Sequence, residues 1–477
     1  MLFNSYLFIL FFLPLTVILY YTVGKSGNCT GAKLVLLLAS YIFLGYANLL
    51  FPLILLLSTV CNYLINQQIR AGRSKSRLWT ICGIIFNVAL LIFFKYSNFL
   101  LDSFNQVFHL SLPTLQLLLP LGISFYTFQQ IAYLVDNYRG EVPDHRFLDY
   151  CLFTAYFPKA IQGPIVYHHE LIPQFNDCKR IKFDSVFFSS GLMAFAIGLS
   201  KKVLLADNFG KIVDFGFSHI PSLNSFEAIL VVVGYTLQIY FDFSGYCDMA
   251  VGISRMLRID LPVNFNSPYK SFNINDFWKR WHITLTRFLT KYIYIPLGGN
   301  RKGKARTYFN IMIVFLVSGL WHGAGYTFIV WGALHGAASV FYRLTKLAYD
   351  RIPRWVQWCI TFLFVSFAWT FFRAGSLSDA LRLMNRIFAG GFGVNAELTE
   401  TMLQPILINI PSQILPIDLV IIAFYLIAVL SVALLKNSND MIRCFQPNMK
   451  SWLFTFVLLV LSILSISGVS TFLYSNF

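Results

Sequence analysis

An all-α protein that crosses a membrane many times is the fold class this sequence predicts, and three observations carry the prediction. Of 477 residues, 57% are hydrophobic and 12% charged, whereas a soluble domain carries about 25% charged residues. Mean hydropathy is +0.64. Apolar runs close to the ~20 residues that a helix needs to cross a bilayer recur from one end to the other.

In chain order, Tyr6 to Val23 opens the series. It lacks a preceding basic region and a small-residue cleavage site, so it reads as a retained first span rather than a signal peptide. Further spans fall near 33–48, 49–66, 78–95, 116–135, 185–206, 227–250, 307–322, 325–344, 355–373, 416–436 and 451–472. Residues 101–119 and 147–165, the latter holding Pro158 and Pro164, are too short or too broken to span simply. They read as re-entrant or interfacial helices, because irregular backbone at membrane depth is tolerated only inside protein. About 11–13 membrane helices in a single membrane-embedded domain, 1–477, are expected. Residues 388–415 read as an external loop.

Charge sets the orientation. Lys plus Arg number 37 against 21 acids, a net +16. The cations punctuate apolar spans, which fits cytoplasmic loops rather than a nucleic-acid surface. Gln67 to Arg77 holds Arg70, Arg73, Lys75 and Arg77 with no acid, so it belongs on the cytoplasmic side with the N-terminus outside. Lys270 to Arg306 is more basic still and belongs on the same side. The eight cysteines are scattered without a CxxC, several within apolar runs where a thiol packs as a small hydrophobe. Neither a disulfide framework nor a zinc site is expected.

Chemistry concentrates between Asn275 and Gly336, which holds three of the eight histidines. His322 lies in an apolar segment beside Gly319, Gly323 and Gly325. An ionisable group at that depth is costly and usually faces a cavity or partner. A buried, neutral imidazole can take a proton from an attacking hydroxyl, and His322 is therefore the leading candidate base. His282 ends the run Phe277-Trp278-Lys279-Arg280-Trp281-His282, which equally fits an interfacial aromatic belt. His335 reads equally as a helix–helix hydrogen-bonding residue. Gly298-x-x-x-x-Gly303-Lys304 approaches a phosphate-binding loop. However, Ala305 stands where a Ser or Thr would hold magnesium, so a solvated loop is the better reading. Asp242 and Asp248 sit in an apolar run and need partners; cations of 270–306 are the expected ones.

The motifs resemble the membrane-bound O-acyltransferase superfamily, in particular the membrane subunits of bacterial alginate O-acetyltransferases. The matching runs are Pro120 to Gln129, Gly163-Pro164-Ile165, Tyr240 to Tyr246, Phe277 to His282, Tyr294 to Arg301, Gly319 to Gly323 and Trp369 to Ala374. They form a motif core from about 115 to 390, followed by C-terminal helices within 416–472. The resemblance implies helices around a through-membrane tunnel, with His322 and His282 catalytic. His335, Trp321 and Asp242 would support them, while Arg280, Arg287 and Lys291 would bind the donor. It also implies acetyl-CoA as a cytoplasmic thioester donor, no tightly bound cofactor or metal, and a periplasmic SGNH-type acetyltransferase partner. The setting would be the lipid of a bacterial inner membrane, and the final acceptor an alginate-like polysaccharide or peptidoglycan. Two alternatives stay open: acyl transfer such as D-alanylation from a carrier protein to teichoic acid, and a glycan transporter or scaffold. Transporters often carry internal repeats, and none is visible here.

Overall fold

The computed structural model describes residues 1–25, 27–72, 74–391, 417–466 and 470–473. Beyond residue 391 the expected 388–415 loop lies outside the described residues. Within the described residues the regular structure is helical, with no strand. Among the described residues, six helices are long and apolar enough to cross a membrane: α1 (Phe8–Lys25), α3 (Leu50–Ala71), α4 (Ser76–Phe108), Ser185–Ser218, Ser225–Met256 and Arg354–Arg373. Between the first two of these lies the shorter α2 (Cys29–Gly45). The chain is a multi-pass integral membrane protein.

Packing divides the chain into two compact units. One comprises 1–199, 246–263 and 442–477, and the other 200–245 and 264–441. In the first, α3 and α4 pack against each other and against α5 (Ile123–Tyr138). Lipid offers helices no hydrophobic reason to associate, so polar side chains act as the glue. Asn87 donates to Asn62 at 2.6 Å, Asn137 to Asn66 at 2.9 Å, and Gln130 to Ser58 at 3.3 Å. Lys33 of α2 is buried against Asp149 at 2.6 Å.

Three expectations change here. Of the 101–119 stretch expected as a re-entrant or interfacial helix, residues 101–108 continue α4 instead. The span expected over 116–135 begins only at Ile123, because Pro113 and Pro120 break the backbone and Gly122 takes a left-handed φ of 75°. A Cβ at Gly122 would also run into the Ala160 carbonyl. Finally, Cys29 and Cys178 form a disulfide across 149 residues. Hydropathy could not show it, since the pair is brought together only by packing. The 147–165 stretch is broken as expected, into Phe147–Ala155 and Phe157–Ala160.

Candidate active site

The second unit is built around a helical hairpin, α6 (Gly303–His322) and α7 (Tyr326–Tyr349). Its two helices touch through glycines. A Cβ on Gly319 would strike the Phe328 carbonyl, and one on Gly332 the Phe315 carbonyl. Small residues let the backbones close up. That closeness seats His322, the last residue of α6, against Trp331 of α7, with ring centroids 5.1 Å apart. Phe372 at 5.2 Å and Trp321 at 4.9 Å complete an aromatic wall around an imidazole that is 2% exposed.

His282 reaches the same wall from a different part of the chain. It stands between two short helices, Ile274–Arg280 and Ile283–Leu289. The first starts at Asn273, whose side chain accepts the Asp276 N–H. The loop is held by the 264–266 segment: Asn266 N–H donates to Arg280 C=O at 2.9 Å, and Ile283 N–H to Asn264 C=O at 3.0 Å. His282 itself has φ 43° and ψ 53°, left-handed values that few side chains adopt. It is fully buried, and burial holds this loop imidazole below its ordinary value, hence neutral. Its ring centroid lies 6.4 Å from that of His322 and 6.0 Å from Trp321. The two histidines therefore share one aromatic chamber.

The other sequence candidates fall into three groups. His335 is buried one tryptophan away, 4.8 Å from Trp331, and its Nδ1 accepts the Trp278 indole N–H at 3.2 Å. Its Nε2 therefore carries the ring proton. Asp242 is buried and pairs with Lys202 at 2.7 Å, and the same ammonium also meets Asp207 at 2.9 Å. This partner lies 40 residues earlier, in another apolar run, outside the 270–306 segment in which a partner was expected. Arg280 pairs with Asp276 on its own helix at 3.0 Å.

A cavity of about 740 Å³ opens alongside these helices. Its buried wall includes Trp278, Leu285 and Ser318, and three exposed cations line it as well: Lys279, Arg343 and Lys346. Arg280, Arg287 and Lys291 do not line it; Thr286, Leu289 and Thr290 on the same stretch do. Neither histidine is a lining residue. Ser318 precedes His322 by one helical turn, and Leu285 follows His282 by three residues. Ser318 and Ser339 also place buried hydroxyls on this wall, without a hydrogen-bond partner among the described residues. Sequence reasoning passed over Ser339, Arg343 and Lys346. The signal was available, because Gly332, His335, Ser339, Arg343 and Lys346 follow one another at three- and four-residue steps, a single stripe of α7.

The phosphate-loop look-alike has no strand before it. Gly298, Gly299 and Gly303 all have positive φ, and Asn310 donates to the Gly299 carbonyl at 2.9 Å. Among the described residues, no three His, Cys, Asp or Glu side chains converge as metal ligands.

Comparison with known proteins agrees with this architecture. The family described as "MBOAT, membrane-bound O-acyltransferase family" matches residues 46–377. A peptidoglycan O-acetyltransferase of Helicobacter pylori is 41% identical across 100% of this chain and 98% of its own length. The "Probable alginate O-acetylase AlgI" of Pseudomonas aeruginosa is 39% identical over 84% of this chain and 78% of its own. A teichoic acid D-alanyltransferase of Bacillus subtilis is 27% identical over 76% and 96%, respectively. The chain is an acyltransferase, and it belongs to the membrane-bound O-acyltransferase family.

Proposed function

We propose that this protein takes an acetyl group from a cytoplasmic thioester, acetyl-CoA, and delivers it across a bacterial inner membrane for O-acetylation of peptidoglycan or an alginate-like polysaccharide. The observation that carries this reading is the buried pair His282 and His322, 6.4 Å apart, close in sequence to the walls of a cation-lined cavity. Lys279, Arg343 and Lys346 match the phosphates of the donor, and the apolar wall beyond them suits its arm. Ser318 and Ser339 offer hydrogen bonds to amides along that arm, which a plain hydrocarbon chain could not use.

In the reaction, His322 takes the single proton of an acceptor hydroxyl, with His282 helping as a hydrogen-bond acceptor beside it. The hydroxyl oxygen bonds to the thioester carbon, the carbon–sulfur bond breaks, and the thiolate leaves with the proton. Holding both substrates in a dry chamber supplies much of the acceleration. The acceptor hydroxyl belongs to a periplasmic SGNH-type partner, which passes the acetyl group on to a glycan hydroxyl; the first ester bond breaks, and the glycan's proton restores the partner's hydroxyl. The names of the relatives favour acetyl transfer, and the two most similar of those above differ only in the glycan they name.

The test is radiolabelled acetyl-CoA with the protein in nanodiscs, alone and with the candidate SGNH partner, offered peptidoglycan fragments and mannuronate oligomers in separate reactions. Label should move to one acceptor, and His322→Ala should abolish transfer while the protein stays monodisperse. Full activity in His322→Ala, or label moving only from a D-alanyl carrier protein, would overturn the proposal.

A further inference from the structure

The structure assigns a positioning role to Asn264: it fixes which nitrogen of His282 is basic. This rests on the reading of His282 as part of the reacting pair. The geometry is specific. Asn264 Oδ1 faces three groups at once: the Thr284 backbone N–H at 3.2 Å, the Thr284 hydroxyl at 2.9 Å and His282 Nδ1 at 3.1 Å. An amide side chain can in principle be turned to show either its oxygen or its NH2. Here the choice is forced, because a backbone N–H can only donate, so the atom it meets must be the oxygen. His282 Nδ1 therefore faces an acceptor and carries the ring proton. In a neutral imidazole the lone pair is then on Nε2, and His282 is set as a proton acceptor rather than a donor.

The same residue also shapes the backbone. Asn264 C=O accepts the Ile283 N–H at 3.0 Å, so main chain and side chain of one residue grip 282, 283 and 284 together. His282 needs that grip, since a left-handed conformation at a non-glycine residue persists only where its surroundings over-determine it. Phe243 packs edge-on against the His282 ring, with centroids 4.8 Å apart, and leaves the rotation about the side-chain bond little freedom.

Acyl transfer by variants tests the assignment. Asn264→Ala removes the acceptor, and kcat should fall about 10²-fold, the scale of a lost general base, with KM for the donor unchanged. Asn264→Asp keeps an oxygen in place and adds negative charge beside Nδ1–H, which favours the protonated ring. Its kcat should stay within about tenfold of wild type, and the acid limb of its pH–rate profile should move to higher pH. The shift reads the contact with Nδ1, which a residue that only braces the backbone away from the ring would not give. If Asn264→Ala does not fold, the Asn264→Asp profile decides alone. An unmoved acid limb in Asn264→Asp, or wild-type kcat in folded Asn264→Ala, overturns the role. His282→Ala separates this from the underlying reading. If His282→Ala is inactive while Asn264→Ala is fully active, the positioning role alone fails. If His282→Ala retains full activity, the histidine pair itself is wrong.

Discussion

Replacing Gly332 by alanine adds one methyl group at a point of closest approach in the hairpin that carries His322 and Trp331. The new Cβ meets the Phe315 carbonyl oxygen, a backbone atom that cannot swing away, with Gly319 Cα 3.4 Å off on the same side. Alanine favours a helix interior over glycine by roughly 1 kcal/mol, while overpacking costs about 1–3 kcal/mol. The net loss of stability should therefore be small, on the order of 0–2 kcal/mol. Function should respond far more. Relieving the clash means parting the two helices, and a shift on the order of 1 Å at reacting groups costs about 10²-fold in rate. Gly375→Ala is the control, since nothing lies within 4 Å of a Cβ built there. The assay is release of free thiol from the acyl donor, followed beside thermal unfolding in detergent. A Gly332→Ala protein with wild-type turnover would refute the argument that close backbone contact seats the histidine.

Three further outcomes are expected. Lys202→Met takes the ammonium away from the buried Asp242 carboxylate and the partly exposed Asp207 and should destabilise the protein by about 3–5 kcal/mol, whereas Lys202→Met with Asp242→Leu should recover much of that loss. Melting temperatures of the single and double variants check it, and additive effects would contradict a coupled pair. Neutralising Lys279, Arg343 or Lys346 to Gln should raise donor KM and flatten its salt dependence, leaving kcat nearly unchanged. Equal losses in the Arg280→Gln variant would show that the cations lining the cavity are not special. Peptide mass mapping of maleimide-treated protein should find Cys29 and Cys178 unlabelled until reductant is added. Doing the mapping in intact cells also reads the redox state around the pair.

Much is legible in the sequence itself. Transfer of apolar side chains into lipid is a local property summed along the chain, so hydropathy located nearly every long helix. A histidine between glycines in an apolar run stands out for the same reason, and His322 and His335 are both buried where that logic put them. His282 was ambiguous, because an aromatic and basic belt explains its neighbours equally well. Its burial to 0% exposure comes from the fold.

What tertiary structure alone decided are the pairings. Lys202 meets Asp242 across 40 residues, Asn264 meets Thr284 across 20, and Cys29 meets Cys178 across 149. No periodicity encodes such separations. The cavity is likewise a product of packing: it takes its cations from α7 as well as from the basic segment that drew attention in the sequence. Composition and hydropathy determined that this chain is a membrane protein with histidines at depth. Which side chain holds which, and hence which nitrogen can act as a base, follows from contacts that exist only once the helices are packed.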